Sequence, residues 1–330
     1  MTAIFEIASS LILRGAAIAA AAATLATAAY AKDTRIITDD TGVKVEIPVK
    51  PMRIVTLHDS VLTAPLLELG VIPVGSHGRG KSEKTAYIRT AQATSGVDFG
   101  NSDIAWVGGN PADIEKISAL NPDLIITTQW QPLEVEKLRL VAPTVVMQFD
   151  TRTDWDVYER LAELTGNTEK LARMQSRYES QIAQIKAIID TENIRVSTIH
   201  ANARGLYVFN PAGNIGKVLI DAGFQRPKII SDVTDGDRAT WFTAESLPEF
   251  DGDFIITAYR WNRGDTPEKV RGYFEAVLPD YCDVLHACRE NQMVMLSMDE
   301  VTGTSYYGLS AVAYAILAEI GGKPFVPMPR

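Results

Sequence analysis

A chain of 330 residues, 46% apolar and 22% charged, is too long for one hydrophobic core to serve alone and too apolar for a disordered chain, so two folded domains are expected. With 32 basic against 41 acidic side chains the net charge is −9. That balance argues against nucleic acid or an anionic membrane surface as partner, because either requires a basic patch.

The N-terminus carries Arg14, then a run from Gly15 to Ala28 built almost wholly of Ala, Ile, Leu and Thr, then Ala29-Tyr30-Ala31. This is the order of a secretory signal with an A-x-A cleavage site, expected to span Met1 to Ala31. A membrane anchor is the competing reading, but the run falls short of the roughly 20 apolar residues that span a bilayer. Glu6 is an unusual acidic residue for such a segment. No Cys stands near the cleavage site to take a lipid, so a freely soluble exported protein is expected.

Arg35 to Pro48 alternates like a short hairpin, with Asp39-Asp40-Thr41-Gly42 as its turn. IVTL reads as a buried strand, Asp59 or Ser60 as the cap of a helix running to Leu69, and VIPVG as the next strand. A polar loop with Arg79, Lys81 and Lys84 follows. From Pro111 a short helix carries Glu115, and Asn121-Pro122-Asp123 turns the chain into strand LIITT. Residues 132–142 read as helix and 144–148 as strand. Unbroken Ile/Val/Leu strands alternating with helices imply a parallel sheet covered on both faces. From Asp154 to about Thr191 one long amphipathic helical stretch, nicked at Gly166-Asn167, replaces the alternation. Strand and helix order then restarts at Arg195 and closes with MVMLS and a helix from Ser305 to Glu319.

Two segments recur. EKISALNPDLIIT from Glu115 is echoed by ESLPEFDGDFIIT from Glu245, at a constant offset of 130 residues, and RIVTLH from Arg53 by RVSTIH from Arg195. The expected fold is therefore α/β, with two Rossmann-like lobes (32–150 and 194–330) of parallel sheet, joined by a long bridging helix (151–193). A ligand cleft between the lobes is expected at the loops beyond the strands' carboxyl ends. Cys282 and Cys288 would lie about 9 Å apart on a continuous helix, too far to bridge. Pro279 and Asp280 suggest a break in that helix, so a disulfide and two free buried thiols both remain open.

Two α/β lobes, a helical bridge, an export signal and the phrase IEKISALNPDLIIT together resemble the class III periplasmic substrate-binding proteins that serve ABC importers of ferric siderophores and cobalamin. The likeness runs from RIVTLH through VGGNPADIEKISALNPDLIITT to MVMLS. It implies a monomeric periplasmic receptor with no cofactor and no catalytic activity. Its ligand would be an iron(III)-siderophore and its partner a permease dimer in the inner membrane. The resemblance assigns Glu115 and Glu245 to docking on permease arginines. The competing reading is that each carboxylate merely stabilises its own helix N-terminus.

Arg79, Trp106, Trp130, Trp241, Arg260, Trp261 and Tyr306 are the ligand-binding candidates, with Tyr207 and Tyr307 in a second rank. Arginines pair with chelate oxygens and indole faces cover an organic skeleton. Core packing is the alternative for each tryptophan, and an exposed loop charge for Arg79. The three-arginine cage of relatives that bind tri-anionic catecholates is matched only at Arg260; the other two positions read Trp130 and Asn214. That departure favours a less charged chelate, of hydroxamate or citrate-hydroxamate type. Cobalamin or haem binding by the same fold is an alternative, and so is Zn or Mn uptake through His58 and His200, which occupy equivalent strand ends. An exported enzyme is disfavoured, because no nucleophile elbow, P-loop, H-E-x-x-H helix or CxxC pair is present.

Overall fold

The computed structural model describes residues 33–149, 153–209, 211–233, 239–301 and 303–330. The expected export signal, Met1 to Ala31, lies outside them. Among the described residues no helix is long and apolar enough to cross a membrane.

Strands β1 (Thr34–Thr38) and β2 (Lys44–Pro48) form the expected antiparallel hairpin. Asp39 holds its turn by accepting the N–H groups of Thr41 and Val43. The first lobe is a parallel sheet of β3 (Ile54–Thr56), β4 (Gly75–Ser76), β5 (Ala105–Trp106), β6 (Leu124–Thr128) and β7 (Thr144–Met147), in the order β5-β4-β3-β6-β7. Side chains alternate across a strand, so Ile54, Leu124 and Ile126 enter one core while Val55 and Ile125 enter another on the opposite face. β4 is shorter than VIPVG led us to expect, because Pro73 has no N–H to give to a neighbouring strand and Ile72 is exposed.

After β3 a π-helical turn (Asp59–Thr63) leads into α1 (Ala64–Glu68), which is followed by the left-handed Gly70 at φ 83°. Neither Asp59 nor Ser60 caps this segment. The cap is His58, whose Nδ1 accepts the N–H of Val61 at 3.3 Å, leaving the Asp59 carboxylate for another task. Helix α2 (Ile114–Ala119) is capped by Asp113, which accepts the N–H groups of Glu115 and Lys116, and α3 (Val135–Arg139) precedes β7.

The bridging stretch is α4 (Asp156–Thr165) and α5 (Thr168–Ile188), separated where Gly166 adopts φ 73° and Asn167 donates back to Ala162. At 1.5 Å per residue α5 is roughly 30 Å long. Its Leu171 packs in the first lobe's core beside Val157, Tyr158 and Leu161 of α4, whereas Tyr178, Ile182 and Ile185 pack in the second lobe's core. One rigid helix is thus shared by both cores.

The second lobe departs from a simple copy of the first. β8 (Val196–Thr198) is followed by β9 (His200–Asn202) and β10 (Gly205–Phe209), then α6 (Asn214–Ala222), β11 (Ala239–Phe242), β12 (Phe254–Tyr259), α7 (Pro267–Val277), β13 (Met293–Ser297) and α8 (Tyr306–Ile316). Among its described residues β13-β12-β8 form the one parallel sheet, while β11-β10-β9 form an antiparallel one. The chain reverses at Ala203-Arg204, where Arg204 donates its N–H to the Asn202 side chain and Gly205 takes φ 135°. Where the repeat holds, its physical reason is visible. Asp123 accepts the N–H of Arg53 at 2.8 Å and Asp253 that of Arg195 at 2.7 Å, so the same residue pair ties adjacent strand starts in both lobes. Helix α8 buries Leu309, Val312, Ala313 and Ile316, the i, i+3, i+4, i+7 face expected of a core helix. Cys282 and Cys288 form a disulfide with Cα atoms 4.8 Å apart. The extended backbone of Leu285 between two short helical turns removes the spacing that a continuous helix would impose.

Candidate ligand-binding site

A cavity of about 290 Å³ opens at the carboxyl ends of β3, β4, β5 and β6 and is lined by His58, His77, Arg79, Arg89, Asn110 and Trp130, with Leu57 and Gln131. Parallel sheets bind ligands at this edge, because the loops after the strands converge there. Its floor is organised by one buried carboxylate. Asp59 accepts Nε and Nη2 of Arg89 at 2.8 Å each, as a two-toothed pair, and Nε of Arg79 at 3.3 Å. The acid is fully buried, whereas the two guanidinium side chains are about a third exposed.

Burial alone would raise the Asp59 carboxyl, but the hydrogen bonds and charge of Arg89, with the charge of Arg79, hold it below the usual carboxylate range. The Nδ1 atoms of His58 and His77 stand 3.6 and 3.7 Å from the same acid, their rings stacked at 5.8 Å. Burial pushes His58 down to about 3 against the opposing charge of Asp59, and lowers His77 as well. The hydrogen bond that His58 Nδ1 accepts from Val61 requires the same unprotonated ring. At neutral pH two guanidiniums therefore face one carboxylate, leaving a net charge of +1.

Local structure explains how two arginines ten residues apart meet. Arg79 and Tyr87 exchange both backbone hydrogen bonds, closing the loop between them and returning the chain so that Arg89 reaches Asp59. Gly80 makes this closure possible: its φ is 107° and a Cβ there would lie 2.2 Å from the Thr85 carbonyl oxygen. Trp130 forms the opposite wall, stacked on Phe149 at 4.5 Å and tilted against His58 at 5.4 Å, with 37% of its surface exposed. Gln131 accepts the N–H of Ala112 and Asn110 donates to the Trp130 carbonyl, joining the loops after β5 and β6.

Of the expected ligand contacts, Arg79 and Trp130 come together in this cavity. Trp106 does not line it; the Lys116 ammonium sits 4.7 Å over its ring. In the second lobe Arg260 follows β12, and its Nε donates to the Met298 thioether at 2.7 Å, a weak acceptor, while the Asp299 carboxylate lies within its electrostatic reach. Met298 opens a short helix, Met298–Val301, that packs on the first-lobe helix Ala91–Ser95, whose chain begins two residues after Arg89. Trp261 is exposed in the turn after Arg260. Trp241 is stacked between Arg204, 4.2 Å over its ring, and Tyr207 at 4.9 Å. Tyr306 instead lies where the lobes meet, edge-on to Trp155 at 5.6 Å and Tyr158 at 5.1 Å, and Tyr307 is exposed beside it.

Asn214 is fully buried and accepts the N–H of Ser305, a structural role. His200 is fully buried under Tyr207, 3.5 Å from the Thr257 hydroxyl, and does not share a site with His58. Among the described residues no group of three His, Cys, Asp or Glu side chains could hold a metal ion. Glu115 and Glu245 are both exposed in the first turn of their helices, and among the described residues neither has a cation within ion-pair distance. Sequence reasoning missed Arg89, His77, Asn110 and Gln131, and treated Asp59 as a cap. The signal was position: His77 follows β4 directly and Asp59 stands three residues past β3; Arg89 had no local signal, because only the loop closure brings it back.

A family model described as periplasmic binding protein matches residues 73–272. Two Bacillus subtilis relatives are similar in sequence. The iron(3+)-hydroxamate-binding protein FhuD is 29% identical over 67% of both chains, and the iron(3+)-hydroxamate-binding protein YxeB is 27% identical over 65% of this chain and 64% of its own. Among solved structures, the FhuD protein from S. pseudintermedius superposes with a TM-score of 0.68 at 21% identity, covering 88% of this chain and 99% of its own. Staphylococcus aureus SirA complexed with staphyloferrin B gives 0.63 at 24% identity, covering 87% and 98%. These structures share the two-lobe α/β fold with the long helix, and the match of the family model over most of the chain shows that it belongs to the periplasmic binding protein family.

Proposed function

We propose that this protein is an exported receptor that captures an iron(III)-hydroxamate, or a citrate-hydroxamate of similar charge, and presents it to the permease of an ABC importer. The observation that carries this reading is the pair of guanidiniums held side by side by Asp59 in a cavity walled by Trp130. Iron-bound hydroxamate oxygens are partly negative acceptors at the rim of a compact complex. Arg79 gives only its Nε to Asp59, so its terminal nitrogens are available to such oxygens, while the indole covers organic skeleton. The relatives named for iron(3+)-hydroxamate binding support the same ligand class.

Arg260 supplies a further cation from the second lobe, and Glu115 and Glu245 supply one exposed carboxylate each for arginines of the permease. Nothing in this cycle needs a bond made or broken in the ligand. The output is a population of liganded molecules whose lobes, tied by α5, move only modestly. Calorimetric titration with ferric hydroxamates, ferric citrate, a ferric tricatecholate, cobalamin and haem tests the reading. Saturable one-to-one binding that is tightest for a hydroxamate is expected; no saturable binding of any ferric hydroxamate overturns it.

A further inference from the structure

The cavity contains a group that the ligand need not touch yet that sets what it can accept. Asp59 is fully buried beneath the two guanidiniums, with both carboxylate oxygens engaged by Arg89 and one also by Arg79. A pair of arginines without it would place two positive charges at the cavity floor. With it the floor carries one, spread over two planar donors whose orientation is fixed from below.

The flanking histidines do not alter this sum, since His58 uses its Nδ1 as an acceptor and both rings are buried. Of the other charged groups, Lys116 is bonded to Glu83, Asp98 accepts the N–H of Ile88, and Arg260 of the second lobe is offset by the nearby Asp299 carboxylate. The acid is also too well enclosed to be a ligand contact. Its chemistry is confined to holding and neutralising the arginines.

We propose that Asp59 is a specificity-determining residue, which cancels one of two guanidinium charges while orienting both, and so tunes the cavity to ferric chelates of low negative charge and against multiply anionic ones. This rests on the ferric-chelate reading given above. It explains how a site can offer two arginines to chelate oxygens without becoming a trap for highly charged anions such as tri-anionic catecholate complexes or polyphosphates. It also separates two jobs that one lone arginine could not do together: two sets of directed donors, and a single net charge.

The test is a charge cycle read as a ratio of affinities. Dissociation constants of the uncharged ferric trihydroxamate ferrichrome and of a tri-anionic ferric tricatecholate are measured by fluorescence for the wild type, Asp59→Asn, Arg89→Gln and the double variant. Asp59→Asn should shift the ratio toward the anionic chelate by about tenfold or more, as one unit of charge at this depth dictates. Arg89→Gln should shift it the other way, and the double variant, with the wild-type net charge restored, should return toward the wild-type ratio. A residue that served only the fold would weaken both chelates alike and leave the ratio unmoved, and that result overturns the proposal. If Asp59→Asn does not fold, the opposite shift in Arg89→Gln and its reversal in the double variant decide the matter. Binding of neither chelate by the wild type would instead remove the receptor reading itself.

Discussion

The carboxylate of Glu68, at the end of α1 in the first lobe, accepts the backbone N–H of Tyr306, the first residue of α8 in the second lobe, at 3.0 Å. It also accepts the N–H of Tyr307 at 3.1 Å and the hydroxyl of Tyr158 at 2.5 Å. One acid thus closes the N-terminus of the last core helix from across the lobe boundary, where free N–H groups and the helix dipole favour a negative charge. Burial raises its carboxyl above the usual range, while the three hydrogen bonds pull the other way.

Glu68→Ala should therefore lower the unfolding free energy by about 2 kcal/mol, because donors at the lobe boundary lose their acceptor. Glu68→Gln keeps one acceptor oxygen and should recover part of that loss. Urea unfolding curves give both values, and an unchanged midpoint for the alanine variant would contradict the role.

Acid should destabilise the protein earlier than its carboxylates would dictate. Burial holds His58 and His200 at about 3 against an ordinary 6.5, and lowers His77 in the same direction. These rings are neutral in the folded state, so an unfolded chain binds more protons below pH 6.5. The stability they contribute is complete above about pH 6.5 and is lost as pH falls toward about 3, at roughly 1.4 kcal/mol per unit for each fully titrating ring. Thermal unfolding between pH 7 and pH 4 should show this slope, and His200→Gln should reduce it; a flat profile would show that the rings titrate normally.

Arg79→Ala and Arg260→Ala should each weaken a ferric hydroxamate by about 1–3 kcal/mol, since each removes charged donors that water replaces incompletely in a partly dry cleft. Trp106→Phe, whose ring lies under Lys116 and does not line the cavity, should leave affinity nearly unchanged. Equal losses in all three, by isothermal titration, would relocate the site.

Reversing Glu115 and Glu245 to Arg should abolish uptake of iron chelate into cells while leaving solution affinity intact, because both carboxylates are exposed and neither is in the cavity. Loss of affinity together with uptake would contradict a docking role.

The lobed plan, the bridging helices and the long apolar strands were legible because they rest on local signals. Unbroken apolar strands, the Gly166-Asn167 nick and the repeated Asp123 and Asp253 each act within a few residues or at a strand start. The antiparallel β9–β11 sheet was not read from the sequence: Asn202 and Gly205 frame Ala203-Arg204 as a turn, but this single four-residue signal lies inside a stretch that otherwise repeats the first lobe's strand start. The site was half legible. Arg79 and Trp130 stand at strand ends, where sequence order already places them near a cleft. Arg89 enters through a loop closed by the bridge between Arg79 and Tyr87, and Asp59 is freed for the arginines only because His58 takes its expected capping role. Both depend on contacts between segments that no local pattern encodes.

The most direct measurement is a tryptophan fluorescence titration of the wild type and of Trp130→Phe with a ferric hydroxamate. Saturable quenching in the wild type, with a large part of its amplitude missing from the variant, is the predicted result. An absence of saturable quenching in the wild type, or a full amplitude in Trp130→Phe, would contradict a chelate seated against Trp130 and the paired arginines.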